Sequence, residues 1–407
     1  MPHSTIHKPY LILLLGILAA LGPFSIDMYL PAFGSIAESL STDERHVTFT
    51  LTSYFSGIAI GQLFYGPIVD KYGRKKPLLA GLAIYALGSL GCALSPNIET
   101  MIGMRTFQAL GGCVGMVASN AIISDVYERS DRARAFSYIM LVMGVAPLIA
   151  PSVGSLFIEK ADWNYIFYFL ALFASLVFGL ILFTLPETSR FMHQHKLKVN
   201  NITAGYFRIA KNRTFLLYTL AGSITMSILF AHVASAAFIF LTYYQLDKAT
   251  FSILFAINAT GLIAGSYLNG ILTKRVDFIR IANAASLLLT LVSSVVLTIV
   301  LLNPKLPYPW VSAGIFLILF LTGLINPNAT AASLAPFTGN VGAASALGGA
   351  IRMGTGAIVA ASIGIFQGES AVTMFATIFA LAAGAALLLR WAGIPQKKDL
   401  LVADKRG

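Results

Sequence analysis

Three charged side chains stand where charge is costly. Asp27, Arg105 and Arg352 lie well inside long apolar runs. On insertion scales each costs roughly 2.5–3.5 kcal/mol at the centre of a lipid-embedded helix, so such residues face a partner or a wet cavity. One acid among two arginines has a narrow repertoire. The carboxylate can bind and release a proton, while a guanidinium stays charged and serves as a fixed counter-charge. Asp27 and Arg105 each sit about six residues from the same membrane face, roughly 9 Å at about 1.5 Å per residue. Equal depth predicts a direct pair or one bridged by water. Burial and a neighbouring cation act in opposite senses on a carboxylate's hold on a proton. Their balance can set one acid to load and release near neutral pH.

The chain around Asp27 is punctuated by Pro23 and Pro31. Pro31 has no N–H, which frees the carbonyl of residue 27 and predicts a bent helix with exposed backbone acceptors. Arg352 lies among Gly348, Gly349, Gly354 and Gly356, with no intramembrane acid in its half of the chain. Its candidate partners are backbone carbonyls, Asn326, Asn328 or an anionic group of a substrate. His232 is a second titratable group within an apolar run, a candidate to share in proton handling. Tyr29, Tyr54, Gln62, Asn120, Tyr138, Asn258 and Asn326 are candidate linings of a cavity, which with few charges would suit amphipathic ligands.

These residues need elements to position them, and composition names the class. The chain has 407 residues, 57% hydrophobic and 11% charged, with mean hydropathy +0.77. Soluble domains carry about 25% charge, so disorder, coiled coil and a water-soluble fold are excluded. Apolar runs of spanning length cover 10–33, 47–69, 77–95, 99–124, 135–158, 163–185, 214–244, 249–272, 279–302, 309–336, 342–366 and 369–391. The first is longer than a signal-peptide core and is followed by no small-x-small cleavage site. The fold class is therefore all-α and membrane-spanning, with twelve helices in two six-helix bundles. The bundles cover 1–185 and 214–391, separated by a polar linker at 186–213 and followed by a tail at 392–407. Of 28 Lys and Arg, four lie in loops on one side (Arg45, Lys160, Lys248 and Lys305), two lie inside spans, and the other 22 lie on the side of the termini. That asymmetry places both termini in the cytoplasm. The net charge of +11 reflects this bias, and no nucleic-acid partner is expected. Cys92 and Cys113 lie in apolar runs, and His193 and His195 lack further ligands, so no metal site is expected.

The halves repeat. Gly61 and Gly66 close the second run, and Gly265 and Gly270 close the eighth, 204 residues later. A basic turn follows each, with Lys71, Arg74, Lys75 and Lys76 in the first half and Lys274 and Arg275 in the second. Parallel repeats about the membrane normal are one way transporters are built. Gly57-x3-Gly61 and Gly111-x3-Gly115 let helices approach closely. Pro147 and Pro151, with Gly144 and Gly154, predict a bend or hinge in the fifth span. Asp70 sits at a helix C-terminus, where an anion is unfavourable. It therefore calls for a cationic partner such as Arg129, Arg132 or Arg134.

Gly66-Pro-Ile-Val-Asp70-Lys71-Tyr-Gly73-Arg74-Lys75-Lys76 resembles the loop signature between spans 2 and 3 of the major facilitator superfamily. Arg105-Thr-Phe-Gln108-Ala-Leu-Gly111 resembles that family's span 4 motif, with Ala109 where the family has glycine. Residues 144–155 resemble its span 5 antiporter motif, with Ala150-Pro151 and Gly154-Ser155 at the variant positions. Asp27-Met-Tyr29-Leu-Pro31 resembles the first-span signature of the Bcr/CflA drug-efflux group, whose members export antibiotics such as bicyclomycin and chloramphenicol in exchange for protons. The resemblance implies that Asp27 carries the proton and Arg105 modulates it. It also implies that Gly66, Asp70, Gly73 and Arg74 belong to a cytoplasmic gate.

The expected protein is thus a monomeric proton-coupled exporter of small amphipathic molecules in a bacterial inner membrane. Its partners are a small-molecule substrate, protons and the lipid bilayer. It uses no cofactor beyond the proton gradient. An importer or facilitator of a metabolite would share the topology. A membrane enzyme would need a nucleophile with its base, paired carboxylates or a metal cluster, and a receptor would leave Asp27 without a task. The Gly-x4-Gly-Lys-Ser/Thr phosphate loop is absent from the sequence, which argues against ATP-driven pumping.

Overall fold

The computed structural model describes residues 8–127, 129–189, 199–303, 305–337, 341–366 and 371–392. Among the described residues twelve helices are long and apolar enough to cross a membrane: Pro9–Ser39, Glu44–Tyr72, Lys75–Ala93, Ile98–Ile123, Val142–Lys160, Asn164–Thr184, Arg213–Tyr243, Lys248–Leu272, Phe278–Leu302, Tyr308–Leu334, Val341–Phe366 and Val372–Ala392. They are spans 1 to 12 below. With no water in a bilayer to satisfy its polar groups, the backbone must bond within each segment, and a helix does that. The even number puts both described ends on one face, the basic face, which also carries the turn between spans 2 and 3. The other is the far face.

Side chains mark several starts. Asp43, Asn97, Asn212, Asp247 and Asp277 each accept hydrogen bonds from the first backbone N–H groups of spans 2, 4, 7, 8 and 9, groups that have no intrahelical acceptor. Span 1 behaves differently. Its α-helix Lys8–Asp27 stops at Asp27 and is followed by a 3-10 turn Leu30–Ala32 and a short helix Phe33–Ser39. The bend predicted from Pro31 is therefore a break, located at the carbonyl that Pro31 leaves without its donor. Span 1 also runs farther than the apolar run 10–33, because the short helix continues it to Ser39.

Spans 1–6 and 7–12 form two bundles, each with the same internal packing. Span 2 lies along span 4, and span 8 lies along span 10. A Cβ at Gly57 would meet Ala109 and the Thr106 carbonyl, and one at Gly61 would run into the Cys113 sulfur. In the second bundle, a Cβ at Gly261 would meet the Phe316 carbonyl, and one at Gly265 would run into the Phe320 carbonyl. The 204-residue offset thus relates two pairs of close-approach glycines. It also relates the caps Asp43 and Asp247. The bundles meet mainly through span 2 on span 11 and span 5 on span 8.

One expectation changes. The segment read as a solvated linker contains a helix, Val199–Ala210, whose Ile209 is buried with Phe215 and Ala344. Its apolar residues recur at helical spacing, which an overall polarity count hides. Span 5 belongs to one continuous helix, Arg129–Lys160, that contains both Pro147 and Pro151. Its prolines do not break it as Pro31 breaks span 1.

Candidate functional site

Arg105 is completely buried in the first bundle. Its Nη1 donates to Gln108 Oε1 at 2.6 Å, and its Nη2 donates to the Ser25 carbonyl at 2.9 Å. Gln108 lies one helical turn along span 4 on the same face and donates onward to Ser89 Oγ of span 3 at 2.7 Å. The rings of Tyr29 and Tyr54 lie against the guanidinium carbon at 4.5 and 4.3 Å, with Phe167 of span 6 at 5.7 Å. Stacking of this kind stabilises a desolvated cation. Tyr29 is held by Thr50 Oγ1 at 2.8 Å. A single arginine therefore ties together spans 1, 2, 4 and 6, and through Gln108 span 3.

The predicted pair between Asp27 and Arg105 is absent. Arg105 takes the carbonyl of Ser25 instead. Asp27 is buried, at 5% exposure, and among the described residues no hydrogen bond or ion pair holds its carboxylate. It ends the first helical segment of span 1. Span 5 packs directly onto the break, since a Cβ at Gly154 would overlap the Met28 carbonyl oxygen.

The candidate cavity residues separate into two sets. Tyr29 and Tyr54 are buried, with their rings against Arg105. Asn258 is fully buried and accepts from Ser312 of span 10 at 2.9 Å. It is a bond between helices. His232 is buried, stacks on Phe255 at 5.5 Å, and has no hydrogen-bond partner on either nitrogen among the described residues. Asn120, Tyr138, Asn326 and Arg352 retain exposure in the half of the molecule nearer the basic face. Asn326 donates to the Met226 sulfur at 2.9 Å, and Arg352 Nη2 donates to Thr330 Oγ1 at 2.8 Å. Asn328, the other amide considered for Arg352, exchanges hydrogen bonds with Asn269 of span 8 at 2.7 and 3.1 Å.

On the basic face, Arg74 is the hub of the turn between spans 2 and 3. Its Nε donates to Asp125 Oδ2 at 2.9 Å, and its Nη1 donates to Asp70 Oδ1 at 2.9 Å and to the Val69 carbonyl at 2.8 Å. The backbone N–H groups of Arg74 and Lys75 donate to the Glu187 carboxylate after span 6. Gly73 caps span 2 with φ +85°, a conformation that favours glycine. Gly66 has open space at its Cα. Burial alone would lower the Arg74 guanidinium, but the hydrogen bonds and charges of Asp125 and Asp70 outweigh it and hold it above its ordinary value. The partner of Asp70 is thus its own neighbour Arg74, one turn away. The side chains of Arg129, Arg132 and Arg134 lie outside those described. Asp125 and Glu187 escaped the sequence reading. Their signal was an acid at the basic end of span 4 and another just beyond span 6.

On the far face the bundles touch. Thr242 Oγ1 of span 7 lies 2.8 and 2.9 Å from the two carboxylate oxygens of Glu44 at the start of span 2. Ser155 and Ser252 of spans 5 and 8 are 3.0 Å apart, and deeper, near mid-span, the Phe55 and Phe230 rings of spans 2 and 7 pack at 4.5 Å. A cavity of about 540 Å³ opens at this mouth, lined by Pro31, Gly34, Glu44, Glu159, Thr242 and Leu246 among others.

Known proteins share this architecture. The family profile described as Major Facilitator Superfamily matches residues 15–361. A transporter of Bacillus subtilis named as uncharacterized and MFS-type, YdgK, is 34% identical over 375 residues, covering 91% of this chain and 92% of its own. A bicyclomycin resistance protein homolog of Haemophilus influenzae is 31% identical over 370 residues, covering 90% and 92%. A solved bacterial homolog of the human lysosomal transporter Spinster, inward-facing and occupied, superposes with TM-score 0.71 at 15% identity over 97% of this chain and 99% of that one. Twelve spans in two repeated bundles, a basic turn after span 2 and a family profile over most of the sequence converge on one conclusion: this chain is a multi-pass membrane transporter that belongs to the Major Facilitator Superfamily, and it is not an enzyme.

Proposed function

We propose that the protein exports small amphipathic compounds, antibiotics among them, in exchange for protons, and that Asp27 carries the exchanged proton. The observation that carries this reading is the state of the Asp27 carboxylate. It is buried at the break of span 1, with no ion pair or hydrogen bond among the described residues. A lone acid in that position changes its charge by taking a proton. If the two bundles rock so that Asp27 meets each face in turn, and proton and substrate disfavour each other's binding, exchange follows. A relative named for bicyclomycin resistance supports efflux as the direction.

In this reading Arg105 is the fixed charge that orders span 1 beside the proton site. Arg74, Asp70 and Asp125, with Gly66 and Gly73, form the gate region on the basic face, which is cytoplasmic by its charge. Pro147 and Pro151 soften span 5 where Gly154 meets span 1. Asn120, Tyr138, Asn326 and Arg352 line the substrate path. His232 and Asn258 support it from within the second bundle. The protein works as a monomer in a bacterial inner membrane with both termini in the cytoplasm, driven by the proton gradient alone.

The test uses purified protein, oriented one way in liposomes under an inward-acid gradient. Proton movement is followed while a panel of neutral and charged antibiotics is added. Substrate-driven proton movement in the wild type that vanishes in Asp27→Asn supports the reading. Substrate flux with no proton movement sinks antiport, and proton movement that survives Asp27→Asn moves the carrier role elsewhere.

A further inference from the structure

Arg352 and Arg105 are both intramembrane arginines, but they are satisfied very differently. Arg105 has two oxygen acceptors and two phenol rings around it. Among the described residues the Nε of each arginine lacks a hydrogen-bond partner, but the terminal nitrogens of Arg352 have only a single neutral hydroxyl, Thr330 Oγ1. No acidic side chain pairs with it among the described residues. A guanidinium offers five donors in a planar fork, so most of its capacity is unused. An unpaired cation within the membrane is costly, and it is retained where something else supplies the anion.

Its direction is set by its neighbours on span 11. Gly348 lies against Thr219 of span 7, and Gly349 lies against Gln62 of span 2. Arg352, one turn farther from the basic face than both, projects between those two directions. It therefore points into the space between the bundles. It remains partly exposed there, as do Asn326 and Thr330 on span 10. Spans 10 and 11 scarcely pack on each other, so the arginine crosses a gap to reach Thr330. The amides nearby are also under-used. Among the described residues Gln62 Oε1 has no hydrogen-bond partner, and Asn326 donates to a thioether, which is a weak acceptor.

We propose that Arg352 is the recognition point for an anionic group, so that the preferred substrates are amphipathic anions rather than lipophilic cations. This rests on the efflux reading above and sharpens its substrate class. The charge balance supports it: well inside the spans, away from their ends, stand two arginines and one acid, Asp27. Arg105 is already enclosed, which leaves Arg352 as the charge a substrate would meet. A carboxylate or sulfonate would take two parallel N–H donors from the fork, while its apolar body lay against the walls of the path. A cation would meet uncompensated like charge.

The test compares three xanthene dyes of similar size, one anionic, one neutral and one cationic, binding to purified full-length protein by fluorescence anisotropy. The variants are Arg352→Gln and Arg352→Lys, each first checked for folding by its thermal midpoint. We expect the anionic dye to bind about tenfold tighter than the cationic one, the size of one charge-assisted contact. Arg352→Gln should erase that preference by weakening the anion alone, and Arg352→Lys should keep part of it. Equal binding of the three dyes, tighter binding of the cation, binding of none, or a preference that survives Arg352→Gln each overturns the proposal. Export of the dyes from liposomes separates the two readings. Anion-selective binding without proton-linked export removes the efflux reading and leaves this site standing. Proton-linked export without anion preference does the reverse.

Discussion

Arg105 Nη2 donates to the Ser25 carbonyl at 2.9 Å, while Asp27, two residues on, stays outside its reach. The arginine thus fixes the backbone just before the break in span 1 and leaves the acid uncommitted. Lysine cannot replace it, because an ammonium lacks the planar fork that bridges Ser25 and Gln108 between two rings. We expect Arg105→Lys to lose about 3–5 kcal/mol, as for a broken buried charge contact, and Gln108→Ala to lose about 1–3 kcal/mol. Thermal unfolding in detergent measures both. An unchanged midpoint in Arg105→Lys would show that the network does not hold span 1 to span 4.

Gly154 and the Met28 carbonyl are in contact with no room for a side chain. Gly154→Val would push span 5 off the break. We expect a loss of about 1–3 kcal/mol from overpacking together with a large fall in transport, whereas Gly66→Ala, which faces open space, should leave stability within about 0.5–1 kcal/mol, the helix-propensity range. Paired measurements of midpoint and transport rate separate the two sites.

Arg74 joins Asp70, Asp125 and the turn that Glu187 holds. Burial opposes it, but the hydrogen bonds and charges of Asp125 and Asp70 hold its guanidinium above its ordinary value. A raised cation contributes its stabilisation fully below the unfolded value and loses it only above the folded one. The Arg74 side of this cluster is therefore constant through the working pH range. We expect Asp125→Ala to speed amide exchange at Arg74 and Lys75 at neutral pH by about tenfold, the equivalent of about 1.4 kcal/mol, with little change in the far-face half. Unchanged exchange in the turn would count against Asp125 as its anchor.

Asp247 caps span 8 and accepts from the Ala249 and Thr250 N–H groups and from Thr250 Oγ1. Those bonds, Thr250 first, hold it below the usual carboxylate value. A depressed acid stabilises the fold above its unfolded value, about 3.9, and that contribution fades as pH falls through the lower folded value. We expect Asp247→Ala to lower the thermal midpoint at pH 7 and to differ little from wild type near pH 2. Asp43, lowered through His46 despite an opposing effect of burial, should behave in the same way at span 2. A difference that persists unchanged in acid would show that the caps act through something other than charge.

Glu44 and Thr242 connect the bundles at the far face. Removing either partner should favour separation of the far ends. We expect Thr242→Val and Glu44→Ala each to broaden the distance between spin labels on the far ends of spans 1 and 8 toward longer values. The double variant should add little, as for one shared contact. Fully additive effects would mean that the two residues act separately.

The spans, their number and the charge asymmetry were legible because each is a local property. An apolar run must become a helix in lipid whatever surrounds it. Lys and Arg counts between runs need no tertiary information. The break at Asp27 was legible for the same reason, since Pro31 removes a donor from a bond that spans only four residues. The glycine repeat could be read as well, because close helix contact demands a missing side chain.

Which residues meet was decided only in three dimensions. Equal depth suggested Asp27 for Arg105. Depth leaves the rotation of each helix open, and rotation put the Ser25 carbonyl and two tyrosine rings there instead. Tyr29 and Tyr54 became packing for a cation, and Asn258 became a bond between helices. Asp70 found its partner one turn away, and Asp125 and Glu187 entered from spans 4 and 6. The linker helix escaped notice because its apolar face is short and flanked by polar residues. The sequence by itself determined what must lie in the membrane and where its backbone must yield. Only tertiary packing decided which charges are spent inside the protein and which, like Asp27 and Arg352, have no charged partner among the described residues, because that choice depends on the relative rotation of helices far apart in the chain.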